Sequence, residues 1–216
     1  MKITKFEHSG LAIEKDGRVI LCDPVEYNNI LPPFDNVAAV IITHKHSDHL
    51  QLELITKIIA ANSAARIFCP ADASPLLKGS IVVRDGEERE VENFKIKFFG
   101  KNHASVVPEQ IPCENIGFVI DDQFANPGDA FTPVPVQPEV LCVPISAPWC
   151  KISDCVEYIK SVNPQIVIPM HDAVLSDMGK NFSNSWIESS CKSLGIKFAL
   201  LAPGASIETD QPNQIS

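Results

Sequence analysis

Three histidines and one carboxylate lie within six consecutive positions, in the sequence Thr-His-Lys-His-Ser-Asp-His-Leu at residues 43–50. Imidazole and carboxylate together suit zinc, and also iron or manganese. On a loop, alternate residues such as His44 and His46 can converge on one point, and Asp48 and His49 can then turn toward a second point nearby. This cluster cannot fill two metal shells alone, so the remaining ligands must come from elsewhere in the chain.

The candidates for those further ligands are few, because the chain has only six histidines. The other three are His8, His103 and His171. His103 and His171 each follow an apolar, strand-like run, at residues 94–99 and 165–169. Asp129 lies after the strand-like run 117–124, where Gly128 frees the backbone to turn. Each candidate therefore stands just past a predicted strand end, where loops carry chemistry on a rigid scaffold.

The order and spacing of these residues resemble the metallo-β-lactamase superfamily. The match is to its H-x-H-x-D-H signature, followed at long spacing by a lone His, an Asp after Gly, and a final His. Residues 3–24, with His-Ser-Gly and Cys-Asp-Pro, look most like the branch that contains L-ascorbate-6-phosphate lactonase and related small hydrolases. The resemblance spans residues 3 to about 207. It implies an α/β (α+β) fold, a four-layer αββα sandwich with metals at one edge of the two sheets.

The resemblance also implies two divalent metal ions, with zinc favoured over manganese or iron. The first ion would be held by His44, His46 and His103. The second would be held by Asp48, His49 and His171, with Asp129 bridging. A single filled position, or a metal without catalysis, is the alternative, since occupancy depends on availability as well as affinity.

Hydrolysis is the reaction class that such a pair of ions favours. Coordination lowers the pKa of water from about 15.7 to about 7, so a hydroxide held between two metals can act as the nucleophile. We expect Asp48 to be a ligand that also orients this hydroxide or accepts its proton. His8 is the second candidate catalytic residue, as a proton donor or anion contact, although a structural histidine is the alternative. Asp23 is either a partner for a metal-bound histidine or a turn residue.

Three other residues near these motifs have open roles. Lys45 lies between two ligands, so alternation predicts that it points away into solvent. Trp149, after Pro148, either lines a substrate wall or packs in the core. Ala130 takes the place where members of the superfamily often carry a hydroxyl after Gly-Asp, so a supporting hydrogen bond seen in relatives is expected to be absent.

Composition predicts one soluble globular domain, residues 1–208, with a polar, frayed tail at 209–216. The net charge of −9 argues against binding duplex nucleic acid, but it does not exclude a small anionic substrate. No membrane span or secretory signal is evident.

The seven scattered cysteines predict buried reduced thiols in a cytoplasmic protein, with Cys113 and Cys150 in loops near the site. A homo-oligomer is a reasonable expectation.

Strand and helix patterns alternate in both halves of the chain. Strands are expected at residues 3–8, 11–14, 19–22, 37–43, 67–69, 81–83, 94–99, 116–120, 140–143, 166–168 and 197–201. Helices are expected at residues 52–61, near 152–162 and near 184–194. Asp16-Gly17 is a hairpin turn signal, and residues 103–117 predict a loop beside the metals. This order favours two facing sheets with helices outside.

The leading hypothesis is a metal-dependent hydrolase of a small ester, lactone or phosphoester. A phosphodiesterase or ribonuclease is a second hypothesis, opposed by the negative charge. A di-iron redox enzyme is a third, although His46 stands where those relatives place a Glu. The fourth is a metal-stabilised binding or regulatory protein without turnover, which Asp48→Asn would distinguish because only an enzyme has turnover to lose.

Overall fold

The computed structural model describes residues 1–27, 31–109 and 111–209. Within these ranges the chain forms two seven-stranded sheets. The first sheet contains β1 (Lys2–Lys5), β2 (Leu11–Lys15), β3 (Arg18–Cys22), β4 (Val37–Ile41), β5 (Arg66–Cys69), β6 (Ile81–Val82) and β14 (Ser206–Glu208). The second contains β7 (Glu88–Val91), β8 (Phe94–Phe99), β9 (Gly117–Ile120), β10 (Phe124–Asn126), β11 (Val140–Pro144), β12 (Ile166–Met170) and β13 (Lys197–Phe198).

The strand order is β14-β1-β2-β3-β4-β5-β6 in the first sheet and β13-β12-β11-β10-β9-β8-β7 in the second. The helices are α1 (Leu52–Ala61), α2 (Ile152–Val162) and α3 (Asp177–Ser193), and a short 3₁₀ helix spans Ser74–Leu76. No helix of the described ranges is both long and apolar enough to cross a membrane.

Three clusters of buried apolar side chains separate the layers. The central cluster joins the two sheets, with Phe68 of the first sheet and Phe98 of the second in ring contact. A second cluster packs α1 against the first sheet, and a third packs α2 and α3 against the second sheet. Because each sheet is covered on both faces, its central strands are apolar throughout, as in β4 and β11. The predicted αββα sandwich is confirmed.

Parallel pairing brings several strand ends to one edge of the molecule. Strands β3 and β4 pair in parallel, and so do β10, β11 and β12. The carboxyl ends of parallel strands meet at the same edge, where open α/β sheets bind their ligands. The segments that follow β3, β4, β10 and β12 contain Asp23, the 43–50 loop, Asp129 and His171.

Several predicted elements match the structure. The predicted helices at residues 52–61 and 152–162 have the observed bounds, as does the strand at 94–99. The Asp16-Gly17 hairpin is confirmed, because Lys15 pairs with Arg18 across it and both turn residues have positive φ. These segments have strong local signals that the tertiary structure does not override.

Three strand predictions are wrong, at residues 3–8, 117–124 and 197–201, the last of which ends at Phe198. The first was expected to run to His8, but it ends at Lys5, since Phe6 and Gly10 hydrogen-bond across a tight turn that holds His8 at φ 57°. The run 117–124 is not one strand but the hairpin of β9 and β10, which turns at Asp121 and Asp122 with positive φ at both.

The predicted last helix begins too late, and the two edge strands β7 and β14 were not predicted, nor was β10 of the hairpin. Helix α3 starts at Asp177, seven residues before 184, because Ser176 caps it by accepting a hydrogen bond from the Gly179 amide. Strand β7 is a polar edge strand, and β14 is a short segment that pairs with β1 at the sheet edge. Neither has the apolar alternation that marks a strand in sequence.

The expected frayed tail begins one residue too early. Thr209 is buried, and its amide donates a hydrogen bond to the Met1 carbonyl over 2.9 Å. Residues 210–216 lie outside the described residues.

Candidate metal centre

The loop after β4 is held by Asp23, a buried residue at the end of β3. The Asp23 carboxylate accepts hydrogen bonds from the Thr43 amide (2.8 Å) and the Thr43 hydroxyl (2.7 Å). The His49 and Leu50 amides both donate to the His46 carbonyl, which closes a tight turn. The turn brings the ligand-type side chains of this loop toward the same space between the two sheets.

Three overlapping groups of ligand-type side chains lie at this edge. In each group, one potential ligand atom per residue lies within 4.8 Å of every other. The first group is His44, His46 and His103; the second is His8, Asp48, His49 and His171; the third is His44, His49 and Asp129. The structure therefore brings all seven predicted ligands together, with Asp129 beside histidines of both other groups, and adds His8.

The outward-facing ring nitrogens of four histidines each have a polar partner. His49 Nδ1 lies 2.8 Å from Asp23 Oδ2, and His44 Nδ1 lies 3.0 Å from Thr43 Oγ1. His103 Nδ1 contacts the backbone carbonyl of the next residue, and His171 Nδ1 contacts a backbone carbonyl after β11. Such partners fix ring orientation and leave Nε2 facing the centre.

The His46 ring has the opposite orientation to the other four, with Nε2 rather than Nδ1 on the outer side. Its Nε2 lies 3.5 Å from the Cys113 thiol, so Nδ1 is the nitrogen left for the shared point. The Cys113 carbonyl also accepts a hydrogen bond from the His103 amide over 2.9 Å. One residue of the loop at 103–115 therefore supports two histidines of the first group.

Asp129 is fixed by a small network of buried asparagines. Its amide donates to Asn115 Oδ1 over 2.9 Å, and the Gly128 amide donates to Asn126 Oδ1 over 2.9 Å. Gly128 has φ +63°, and a Cβ there would collide with the Asn115 side chain and with Thr43. The turn before Asp129 therefore requires glycine.

Among the residues that the structure describes, four buried atoms at the centre lack a hydrogen-bond partner. They are His44 Nε2, His49 Nε2, His171 Nε2 and Asp129 Oδ1. His171 Nε2 lies 2.9 Å from Asp129 Oδ2 but without the direction of a hydrogen bond. Each unsatisfied buried polar group costs about 1–3 kcal/mol. A cation bound among these atoms would remove that cost, so the residues present fit a metal site.

The pKa values of the candidate ligands are shifted as expected where histidines and carboxylates are buried close together. Burial and the neighbouring His49 lower the pKa of His44 well below its usual value, which keeps this ring neutral and able to bind metal. Burial alone would raise the pKa of Asp129, but His49, His103 and His171 outweigh it and hold that pKa well below the ordinary range. Burial alone would lower the pKa of His171, whereas Asp129 and Asp48 raise it to about 10.

His8 is completely buried, and both of its ring nitrogens are engaged. Nδ1 accepts a hydrogen bond from the Ala173 amide over 3.3 Å, which requires an unprotonated Nδ1. The ring proton then lies on Nε2, which donates to Asp48 Oδ2 over 3.2 Å. The His8 carbonyl accepts a hydrogen bond from the His171 amide. His8 thus connects the first sheet to the His171 loop and contacts Asp48 rather than solvent.

The structure shows where four residues with open roles in the sequence lie relative to the candidate ligands. Asp23 contacts His49 and Thr43, as a partner of a candidate ligand would. Lys45 points away from the ligands as expected, but it is not simply solvated, because its amine lies 2.9 Å from Asp72 Oδ2. The centroid of the Trp149 ring lies 6.0 Å from that of His103 and 5.2 Å from that of Phe131, so this ring forms one side of the site. Ala130 is buried and brings no side-chain oxygen to Asp129.

The structure adds several residues that shape the site. Thr43 contacts His44 directly, and Asn115 and Asn126 fix the Asp129 turn. Cys113, which was expected in a loop near the site, contacts His46. Tyr27 packs edge-on against His8 with ring centroids 5.7 Å apart, and burial raises its pKa to about 12. Adjacency to the 43–50 cluster could have pointed to Thr43. Asn115, Asn126 and Tyr27 have no signal without the fold.

Comparison with known proteins places the chain in a family. Residues 2–171 match the model of the beta-lactamase superfamily domain. The chain therefore belongs to the metallo-β-lactamase superfamily, as the sequence resemblance predicts. It is 31% identical over 182 residues to Protein Rv0786c of Mycobacterium tuberculosis, which covers 82% of this chain and 86% of that protein.

Two further relatives are described as metallo- or metal-dependent hydrolases. A UPF0173 metal-dependent hydrolase of Methanosphaera stadtmanae is 28% identical over 198 residues, covering 79% of this chain and 83% of that protein. The solved structure of Igni18, a metallo hydrolase from Ignicoccus hospitalis, superimposes with a TM-score of 0.72 at 23% identity, covering 97% and 99% of the two chains. These descriptions give no substrate, so the narrower likeness to the lactonase branch stays a prediction.

Proposed function

We propose that this protein is a hydrolase that depends on two divalent metal ions, with zinc as the favoured metal. The observation that carries the proposal is that four buried atoms without hydrogen-bond partners, on His44, His49, His171 and Asp129, lie within overlapping groups of ligand-type side chains. Membership of the metallo-β-lactamase superfamily and the hydrolase descriptions of two relatives support the same class of activity.

The candidate ligands divide between two positions. His44, His46 and His103 would hold one ion, and Asp48, His49 and His171 the other, with Asp129 contributing to both. The chemistry that bound divalent ions supply is a lower pKa for water and polarisation of the carbonyl or phosphoryl oxygen under attack. Imidazole and carboxylate ligands suit zinc, and they also accept manganese or iron.

Asp48 and His8 are the residues to which we assign proton handling. The Asp48 side chain is 33% exposed, so it is the candidate ligand whose carboxylate also reaches the open side. Burial raises the pKa of Asp48, but the neighbouring His171 and the hydrogen bond from His8 outweigh this and keep the carboxylate ionised. An ionised Asp48 can accept a proton from the attacking water. His8 acts through Asp48, by holding its carboxylate in place.

The substrate that we propose is a small ester, lactone or phosphoester. Trp149 and Phe131 form one side of the site beside His103, and Tyr27 lies on the other side beside His8. Aromatic faces of this kind favour a substrate with an apolar group next to the scissile bond. An anionic group is compatible with the same site, because bound divalent ions would dominate the local field.

A phosphodiesterase or ribonuclease remains the alternative activity, and a metal-stabilised binding protein is the alternative from another class. The net charge of −9 opposes a long nucleic-acid partner. The cation next to the ligands, Lys45, is already paired with Asp72. Seven free cysteines fit the reducing environment of the cytoplasm, which is the location that we propose.

The experiment is to measure metal content of the full chain purified without added metal, together with turnover of aryl esters, lactones and phosphodiesters. We expect two equivalents of metal and turnover that a chelator abolishes and added zinc or manganese restores. Asp48→Asn should lose turnover and keep the circular dichroism spectrum of the parent protein. The matched control is Asp35→Asn, an exposed aspartate before the opposite end of β4, which should change neither.

The other outcomes separate the alternatives. Metal binding without turnover of any substrate class would replace the hydrolase with the binding protein. Preferential turnover of phosphodiesters would favour the nuclease-like alternative. A protein that binds no divalent metal under any loading condition would contradict the whole proposal.

A further inference from the structure

Two thiols lie in contact beside the metal centre. Cys150 Sγ and Cys155 Sγ are 3.2 Å apart, and both cysteines are free. A disulfide has an S–S distance of about 2.05 Å, so the two sulfurs need to approach by only roughly 1 Å. Cys155 lies in the first turns of α2 and Cys150 lies two residues before that helix. The chain therefore places both sulfurs at one helix end.

The two thiols are unequal in exposure and in acidity. Cys150 is half-buried, whereas Cys155 is fully buried. The hydrogen-bond contact between the two thiols lowers the pKa of Cys150, and the same contact raises the pKa of Cys155, together with burial. The position of Cys150 before the α2 N-terminus also favours a thiolate. Such an arrangement makes Cys150 the attacking sulfur and Cys155 the thiol that resolves the product.

We propose that Cys150 and Cys155 form a reversible dithiol–disulfide pair that responds to peroxide. In the first step the Cys150 thiol attacks the peroxide O–O bond, which gives a sulfenic acid on Cys150 and releases water when the oxidant is hydrogen peroxide. In the second step the Cys155 thiol attacks the sulfenic sulfur. The S–S bond forms, the S–O bond breaks and a second water leaves. A dithiol reductant reverses the change by thiol–disulfide exchange.

The pair is connected to the metal centre through the adjacent tryptophan. Trp149 directly precedes Cys150, and its ring contacts His103 and Phe131. Movement of Cys150 Sγ toward α2 is expected to strain this short loop, because the Cys150 amide is held by the Ala147 carbonyl. The disulfide is therefore expected to shift the Trp149 ring relative to His103. In a reducing compartment, disulfides that do form are usually transient and sense the redox state.

The test is to treat the full chain with hydrogen peroxide and to map thiols and disulfides by mass spectrometry of the digested, non-reduced protein. We expect one disulfide, Cys150–Cys155, which dithiothreitol removes. Cys155→Ser should leave a sulfenic acid on Cys150 that a dimedone probe traps, and Cys150→Ser should form no disulfide. Cys113→Ser is the matched control, because it removes the other half-buried thiol and should leave the disulfide unchanged.

The shift of Trp149 has its own readout. In a Trp186→Phe background, Trp149 is the only tryptophan, so its fluorescence emission should change on oxidation and return on reduction. Neither readout depends on hydrolase activity, so their failure is distinct from failure of the proposed function. The proposal is overturned if Cys113 is oxidised while Cys150 and Cys155 stay reduced. It is also overturned if the disulfide forms only in unfolded protein or leaves Trp149 emission unchanged.

Discussion

Side chains orient the candidate ligand histidines of the first sheet, whereas backbone carbonyls orient those of the second. His44 and His49 have the Thr43 hydroxyl and the Asp23 carboxylate as partners. His103 has the carbonyl of the next residue, Ala104, and His171 has the carbonyl of Ser146. A side-chain partner can be removed by one substitution, but a carbonyl partner cannot. The two halves of the site should therefore differ in how easily mutation disturbs them.

The position of Asp129 also depends on the backbone, through the turn at Gly128. Gly128→Ala should therefore have the largest effect on stability and on metal binding. The added Cβ is strained at φ +63° and collides with the Asn115 side chain that holds the Asp129 amide. We expect a loss of more than ~2 kcal/mol in the free energy of unfolding, together with loss of bound metal. Denaturant unfolding and metal analysis measure the two.

Gly195→Ala is the matched control for that substitution. Gly195 has φ +72°, but an added Cβ would meet nothing within 4 Å, so the change introduces backbone strain alone. It should cost about 1 kcal/mol and leave metal content unchanged. Equal losses of unfolding free energy in the two variants would mean that the close contact at Gly128 does not contribute to the destabilisation.

Among the side chains that orient the candidate ligands, Asp23 should matter most: Asp23→Asn should weaken metal binding by about 10–100-fold. The carboxylate holds His49 and also accepts two hydrogen bonds from Thr43, so one change disturbs both the ligand and its loop. Competition with a chelator of known affinity measures the effect. Asp35→Asn serves again as the control. Unchanged affinity in Asp23→Asn would show that His49 is held by packing instead.

A pH series should distinguish the two candidate metal positions. Burial lowers the pKa values of His44 and His46, so both rings are already neutral when metal arrives at neutral pH. Burial would also lower the pKa of His49 and of His171, but nearby carboxylates raise both, to about 10 for His171. The His171 ring, with its pKa near 10, must lose a proton to bind metal at neutral pH, so affinity at this position should rise with pH by about tenfold per unit.

Calorimetry of metal binding in buffers of different ionisation enthalpy counts those protons. We expect proton release for the ion held by His49 and His171, and little release for the ion held by His44 and His46. Equal release at both positions would remove this distinction between them.

The smallest effects should come from a matched pair of hydroxyl substitutions. The Thr43 hydroxyl donates to Asp23 and accepts from His44, so Thr43→Val should reduce metal affinity by several-fold, as expected for about 1 kcal/mol. Ser146 orients His171 through its carbonyl, so Ser146→Ala should leave metal affinity unchanged. The same competition assay measures both. A loss in Ser146→Ala equal to that in Thr43→Val would contradict the division into side-chain and backbone partners.

Much of the fold was predictable because its signals are local. The helix at 52–61, the strand at 94–99 and the Asp16-Gly17 hairpin each have a pattern that short-range sterics and burial already favour. The edge strands β7 and β14 were missed because they lack apolar alternation and exist through pairing with a neighbour. The start of α3 was missed because its first turns are exposed and polar on several faces.

By itself, the sequence determined the candidate ligands and their chemistry, because imidazole and carboxylate are metal-binding groups and four of the seven candidate ligands lie within six consecutive positions. Only the tertiary structure decided how these residues are held. His8, Asp23 and His171 all have positive φ, which costs about 1–3 kcal/mol per residue and survives only where surrounding contacts enforce it. Those contacts join segments far apart in the chain, such as His8 with Ala173 and Asp23 with Thr43, so no local pattern could reveal them.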